Sequence, residues 1–192
     1  MERRIALTFD GAPNPPGTYN ILATLEAHRI RATFFMEGHR VLKEKECAMA
    51  VKNAGHEIGN HSFSHRNFDE LSLTECQEEI LRADAVLRGE LGVVTRLLRP
   101  PGGRLTDGVR DLALGMGYDI VLWTFSIRDW EGPDSASLAA RVLEQVRDNC
   151  VVVFHDRVPW VPEALEIVIP ALKREGFEFK TVSELGRRGI IK

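Results

Sequence analysis

The sequence predicts an α/β fold: a distorted (β/α) barrel with about seven parallel strands, in a single domain spanning residues 1–192. Seven apolar runs alternate with segments of helical periodicity. The runs are almost continuously hydrophobic, which is typical of parallel strands buried on both faces. Low-complexity segments and linkers are absent from the sequence, and its length suits one domain. A complete barrel of this type has eight strands, so this one is expected to be incomplete. A doubly wound open sheet is the alternative.

The first predicted strand is the apolar run RIALTFD at 4–10. A helix is predicted over 18–28, because Ile21, Leu22 and Leu25 recur on one helical face. Glycine and prolines separate the two elements, which indicates a turn directly after the strand.

The second strand is predicted at 31–38, within the run RATFFMEG, and a third at 56–62, HEIGNHS. Between them a helix is predicted over 40–54, and Gly55 marks its end because glycine commonly terminates helices.

A helix is predicted to begin after Ser72, since Ser72 and Glu75 form a capping-box pattern, and to reach about Arg88. The short apolar run TRLLRP predicts a fourth strand at 95–100, and a short helix is predicted over 106–117.

The last third of the chain repeats the pattern, with strands predicted at 118–126, 150–156 and 177–182. The intervening segments, 135–148 and 162–175, have helical periodicity.

Composition argues against several classes of protein. The net charge of −3 is unlike that of a nucleic-acid binder, and the apolar runs fall short of a membrane span. Cys47, Cys76 and Cys150 are too far apart for a thiolate zinc site and too few for a disulfide framework. Without a signal peptide at its start the chain is expected in the cytoplasm, or in an extracellular or cell-wall location if a leader was removed. A monomer is expected.

Polar residues collect where the predicted strands end, which is where parallel barrels carry their chemistry. They are Asp10, His61, His65, Arg99, Asp129, Trp130, His155 and Asp156. Each has an ordinary structural explanation, such as a turn aspartate, two loop histidines or a surface ion pair. Two histidines four residues apart can, however, reach one metal ion. The coincidence of all these residues at one rim favours an active site.

The segments ALTFDGAPNPP, ATFF, HEIGNHSFSH, RPPGG, DW and VVVFHD resemble, in order and spacing, the polysaccharide deacetylases of carbohydrate esterase family four (CE4). The resemblance runs from about residue 4 to 182. It implies a distorted barrel and metal-dependent removal of acetyl groups from N- or O-acetylated carbohydrate.

The resemblance implies a role for each matching residue. Asp10 corresponds to the catalytic base and Arg99 to the arginine that holds it. His61 and His65 correspond to the ligands of a divalent metal, zinc or alternatively cobalt. The remaining correspondences are a catalytic histidine at His155, the acid that orients it at Asp129, and substrate contacts at Trp130 and Gly102.

The sequence departs from the family pattern at the metal site. Gly11 stands where a second aspartate usually supplies the third protein ligand, so metal affinity should fall. Water, Asp10 or Glu37 could fill the vacancy, although Glu37 fits an exposed loop residue better. Milder departures are Gly102 for a tyrosine and Ser126 for an acid.

Three functions therefore stay open. The first is a metal-dependent deacetylase, impaired to the extent that the metal is lost. The second is a catalytically silent carbohydrate-binding relative in which Trp130 and Trp160 stack on sugar rings, although Trp160 could equally pack under its own loop. The third is an amide hydrolase of a small molecule on the same fold.

Overall fold

The computed structural model describes residues 3–125, 127–132, 134–186 and 190–191. Within these ranges eight strands form one sheet. They are β1 (Arg3–Ala12), β2 (Thr33–Met36), β3 (Glu57–Asn60), β4 (Leu97–Leu98), β5 (Asp119–Val121), β6 (Cys150–His155), β7 (Phe177–Phe179) and β8 (Ile190–Ile191).

Eight α-helices accompany the sheet in the described part of the chain, and none of them is long and apolar enough to cross a membrane. They are α1 (Gly17–Ala27), α2 (Gly38–Lys43), α3 (Lys45–Asn53), α4 (Leu73–Leu91), α5 (Asp107–Gly115), α6 (Ser135–Gln145), α7 (Val161–Arg174) and α8 (Val182–Leu185). Short 3-10 turns occur at Phe68–Glu70, Pro101–Gly103 and Asp129–Glu131.

The strand order is β6-β1-β2-β3-β4-β5-β8, and β7 pairs with the start of β1. Strands β1 to β7 pair in parallel, whereas β8 pairs antiparallel to β5. Beyond β5, Phe125 makes a single parallel bridge to Val152 of β6. The sheet therefore curls back on itself, which confirms the predicted distorted barrel and rules out the open doubly wound sheet.

Alternate residues of the central strands face two different environments. Ile5, Leu7 and Phe9 of β1 belong to the large core between the sheet and the helices. Ala6 instead packs inside the barrel, and Asp10 lies on the same face of β1 because side chains alternate. The continuous hydrophobicity of the strands thus reflects two apolar surfaces.

A helix that the sequence analysis did not predict closes one end of the barrel. The strand expected at 177–182 ends at Phe179, and α8 follows it. Thr181 and Glu184 form a capping box at its start, a pattern visible in the sequence. Val182 and Leu185 of α8 pack against the barrel-lining residues Ala6, Phe35, Leu97, Val121 and Val151.

Two other predicted boundaries were wrong. The helix expected over 40–54 is broken at Glu44, whose φ of −121° and ψ of 46° are not helical. The charged run before Cys47 contains no apolar residue that would continue the buried face of one helix into the next. The strand expected over 118–126 ends at Val121, and Ser126 lies outside the described residues.

Candidate active site

A cavity of about 270 Å³ opens at the carboxyl ends of the strands. It is lined by Asp10, His61, His65, Gly102, Trp123, Trp130, Val153, His155 and Arg157. Six of these were singled out from the sequence; Trp123, Val153 and Arg157 were not. Val153 could have been found, because it lies two residues before His155 on the same face of β6.

Arg99 crosses the barrel interior and holds Asp10. Its Nη1 atom donates to Asp10 Oδ1 at 2.6 Å and to Thr8 Oγ1 at 2.7 Å. Its Nε atom donates to the carbonyl of Val121 at 3.0 Å and Nη2 to that of Leu122 at 3.2 Å. Arg99 is fully buried, so the explanation of this residue as a surface ion pair is wrong.

The ion pair keeps the Asp10 carboxylate ionised. Burial alone would raise the pKa of Asp10, but the positive charge of Arg99 outweighs it, with help from His61 and His155, and the net pKa is lowered. Asp10 is also the neighbour of His155 in the register of β1 and β6. A permanently charged acceptor therefore stands beside the histidine at the base of the cavity.

His61 is buried, and its orientation is set by one hydrogen bond. Its Nδ1 atom lies 2.7 Å from the carbonyl oxygen of Arg99, and because a carbonyl only accepts, Nδ1 carries the proton. The Nε2 atom, 3.9 Å from Asp10 Oδ2, is left with its lone pair. Burial lowers the pKa of His61 despite the opposing charge of Asp10, which favours the neutral form that binds metals.

The loop after β3 brings His65 to the same cavity, with its ring centroid 5.0 Å from that of His61. Both Ser62 and His65 have positive φ, at 66° and 61°. The Asn60 amide oxygen accepts from the Ser62 N–H at 2.9 Å, and Ser62 Oγ accepts from the His65 N–H at 3.0 Å. Side-chain hydrogen bonds therefore stabilise the unusual backbone that turns His65 inward.

Glu79 of α4 braces this loop from behind. Its carboxylate accepts hydrogen bonds from the backbone N–H groups of Phe63 and Ser64, at 3.1 and 2.7 Å, and from the Ser64 hydroxyl at 2.7 Å. The sequence analysis gave Glu79 no role, since a glutamate on a predicted helix carries no signal of such a long-range contact.

Gly11 and Glu37 meet where the family pattern would place the third metal ligand. Gly11 has a φ of +83°, and a Cβ atom on it would lie 3.2 Å from Glu37 Oε1 and 3.7 Å from Arg157 Nη1. Glu37 is buried, so its interpretation as an exposed loop residue was wrong. Its Oε2 atom accepts from Arg40 Nε at 2.9 Å, so the carboxylate is already neutralised.

A divalent metal fits this site only in part. His61 and His65 present two imidazoles to one cavity, a donor set suited to zinc. Among the residues that the structure describes, no three histidines, cysteines or acids are grouped so as to hold a metal ion. The two histidines therefore fit as a pair of nitrogen ligands, and the described residues supply no third protein ligand.

A second pair joins the buried Asp129 to the partly buried His155. His155 Nδ1 lies 2.8 Å from Asp129 Oδ1, and the His155 backbone N–H donates to Asp129 Oδ2 at 2.6 Å. The carboxylate thus fixes both the position of the ring and the proton on Nδ1, and directs Nε2 toward the cavity. Trp130, half exposed, lies edge-on to the His155 ring at 5.2 Å.

Trp160 braces the turn that carries this pair. Its indole Nε1 donates to the backbone oxygen of Asp129 at 2.8 Å, and its ring packs on the main core. Trp160 does not line the cavity, which favours packing under its own loop over stacking on a sugar.

Gly102 and Trp123 form another wall of the cavity. Gly102 has a φ of +60° in the turn after β4, which disfavours side chains. The neighbouring Gly103 is in contact with Trp123, since a Cβ atom there would come within 2.5 Å of the indole ring. Trp123 therefore supplies an aromatic wall next to the position where the family pattern has a tyrosine.

The fold and the site define a class: a parallel β/α barrel whose carboxyl rim carries two histidines, the Asp10–Arg99 ion pair and the Asp129–His155 pair. A family model for polysaccharide deacetylases matches residues 1–121. The chain belongs to the polysaccharide deacetylase family.

Relatives with known names share most of this chain. It is 38% identical over 193 residues to a peptidoglycan-N-acetylglucosamine deacetylase of Bacillus cereus, covering 97% of this chain and 89% of that protein. It is 33% identical to the peptidoglycan-N-acetylmuramic acid deacetylase PdaC of Bacillus subtilis, but spans only 39% of that protein's length. The solved structure of PdaC superposes with a TM-score of 0.89, covering 96% of this chain and 90% of that structure.

One solved relative has lost activity. A CE4 family pseudoenzyme from Bacillus anthracis is 28% identical, with a TM-score of 0.91, and the match covers 96% of this chain and 65% of that structure. A mutant of that protein is described as having restored enzymatic activity. Members of the family with this fold thus include inactive ones.

Proposed function

We propose that this protein is a hydrolase that removes acetyl groups from N-acetylated carbohydrate, with peptidoglycan-type glycans as its substrate class. The observation that carries the proposal is the pairing of Asp10 with Arg99 and of His155 with Asp129 at one cavity. Kinship with named peptidoglycan deacetylases supports the substrate class.

Asp10 is the general base in this proposal. Its lowered pKa keeps it ionised at neutral pH, so that it can accept a proton from a water molecule attacking the acetyl carbon. Arg99 holds the carboxylate in position through the transfer. Since water is the nucleophile, the reaction needs no serine or cysteine, and none is found among the described residues that line the cavity.

His155 is the proton donor to the departing amine. Its Nε2 atom faces the cavity, and Asp129 stabilises the charged imidazolium through the Nδ1 proton. Trp130, Trp123 and Gly102 surround the space in which the acetyl group would lie.

His61 and His65 would hold a divalent metal in this proposal, zinc by the preference of imidazole ligands, with cobalt as a substitute. When bound, such an ion polarises a carbonyl and lowers the pKa of a bound water. We expect a low affinity for this ion, because Gly11 offers no carboxylate. Activity should therefore depend on the free metal concentration.

The test is acetate release from N-acetylglucosamine oligomers and from peptidoglycan fragments, with and without added zinc or cobalt. We expect slow release that rises with metal concentration. Asp10→Asn should lower the rate by about a hundredfold or more, because the general base is lost. No release from chitin oligomers, peptidoglycan fragments and acetylated xylan at saturating metal would contradict the proposal.

The missing third ligand, together with the inactive relative, favours one second candidate: a silent domain that binds acetylated glycans. Calorimetric titration separates the two. Glycan binding without acetate release, at saturating metal, would support the silent domain.

A further inference from the structure

Arg157 lines the cavity without a partner. Among the residues that the structure describes, its guanidinium makes no hydrogen bond and no ion pair, and the side chain is exposed. Its Nη1 atom lies 3.7 Å from where a Cβ atom of Gly11 would be, so the missing side chain leaves the approach to Arg157 open.

The backbone directs this arginine toward the cavity. The Val158 N–H donates to the carbonyl of His155 at 3.2 Å, which closes a turn around Arg157. Asp156 before it is buried and accepts a hydrogen bond from Thr18, while Val158 after it is buried in the core. Because both neighbouring side chains are buried, the backbone of Arg157 is held at the rim of the cavity.

Three acids at or beside the cavity each have a basic partner. Arg99 pairs with Asp10, and His155 with Asp129. Arg40 pairs with Glu37. Arg157, by contrast, is a cation of the cavity lining that forms no ion pair with any described residue.

We propose that Arg157 binds a carboxylate carried by the substrate, so that this protein prefers acetylated saccharides with an acidic substituent over neutral ones. The inference rests on the proposed function and narrows its substrate class. A guanidinium presents paired N–H donors that match a carboxylate in geometry and charge, which a point charge such as lysine does only in part.

Calorimetric titration of metal-stripped protein, dialysed free of chelator, tests the preference without turnover. The acidic probe is the disaccharide of N-acetylglucosamine and N-acetylmuramic acid. Its methyl ester and di-N-acetylchitobiose are the neutral probes, and D-lactate tests a free carboxylate. We expect the acidic disaccharide to bind on the order of tenfold to a hundredfold more tightly than either neutral one.

Substitutions assign the effect to one residue. Arg157→Gln should reduce the affinity for the acidic disaccharide to that for the neutral probes, and Arg157→Lys should restore part of it. Arg174→Gln, an exposed arginine of α7 outside the cavity, should leave the preference intact. Since Arg157 has no partner within the described chain, its replacement should not disturb folding.

Three results would overturn the inference: equal affinity for acidic and neutral disaccharides, a preference that survives Arg157→Gln, or D-lactate binding as tightly as the disaccharide. Acetate release is measured separately. A binding preference for the acidic disaccharide without any acetate release would refute the proposed function and leave the inference about Arg157 standing. Acetate release without such a preference would refute the inference and leave the proposed function standing.

Discussion

At the scale of single residues, Gly11 has the largest chemical consequence. The sequence alone identifies it as a departure from the family pattern. It does not show that the space beside Gly11 is bordered by the buried Glu37 carboxylate and by Arg157. Both contacts depend on side chains from other strands and loops, so the local sequence pattern around Gly11 does not predict them.

Gly11→Asp should raise zinc affinity by on the order of tenfold, because a carboxylate joins the two histidines. The gain is limited by Glu37, whose Oε1 atom would lie 3.2 Å from the new Cβ. We expect a larger gain in Gly11→Asp combined with Glu37→Gln, since the repulsion between two carboxylates is removed. Zinc titration against a chromophoric competitor measures both.

Gly11→Asn is the matched control, since it has nearly the same shape without the charge. Both single variants should lose about 1–2 kcal/mol of stability, because an L-residue is strained at the φ of +83° found here. Equal zinc affinity in the aspartate and asparagine variants would show that the position lies outside the metal's reach.

The place of the strand-end residues in the cavity was predictable from the sequence, whereas that of the residues on the connections was not. Asp10 and His155 end apolar strands, so their meeting follows from parallel pairing. Trp123 and Arg157 lie beyond strand ends, where side-chain direction depends on the loop. Their place in the cavity needed the structure.

At the scale of elements, Asp156 links the end of β6 to the start of α1. Its Oδ2 atom accepts from the Thr18 hydroxyl at 2.5 Å, while the buried Oδ1 has no partner in the described structure. Burial raises the pKa of Asp156 to about 6, although the Thr18 hydrogen bond opposes the shift. Burial at this junction therefore stabilises the protonated form of Asp156 relative to that of an exposed aspartate.

We therefore predict that the contribution of Asp156 to the free energy of unfolding decreases as the pH rises. The folded state binds the Asp156 proton more tightly than the unfolded state, where the pKa is near 4. The contribution is present in full below about pH 4, is lost as the pH rises through about 6, and amounts to about 2–3 kcal/mol. Asp156→Asn should flatten this decrease in urea unfolding from pH 4 to 8.

Asp111→Asn, at an exposed position on α5, is the control and should keep the pH dependence of the unsubstituted protein. If Asp156→Asn and Asp111→Asn give parallel curves of unfolding free energy against pH, Asp156 does not make the predicted contribution to the pH dependence of stability.

At the scale of the whole molecule, the barrel was predictable because its strands are hydrophobic on both faces. Two apolar surfaces, one toward the helices and one toward the barrel interior, leave their signature in every central strand. The antiparallel β8 has two residues, too few for a periodicity, and was not predicted. The closing helix α8 was missed because the apolar pattern of β7 was extended through its cap.

Arg99 has a structural role in the barrel and a proposed role in catalysis. It crosses the interior from β4 to β1 and β5, and it also holds the proposed base.

Arg99→Met should leave Asp10 buried and unpaired, at a cost of about 3–5 kcal/mol in the free energy of unfolding at pH 7. Because burial would then raise the pKa of Asp10, this variant should regain stability on acidification. Asp10→Leu combined with Arg99→Met should recover most of the lost stability at pH 7, since neither the carboxylate nor the guanidinium remains buried. The double variant should stay inactive, because it lacks the proposed base. Urea unfolding at pH 7 and pH 4 measures these changes in stability. A double variant no more stable than Arg99→Met would show that Arg99 stabilises the barrel through its carbonyl contacts rather than through the ion pair.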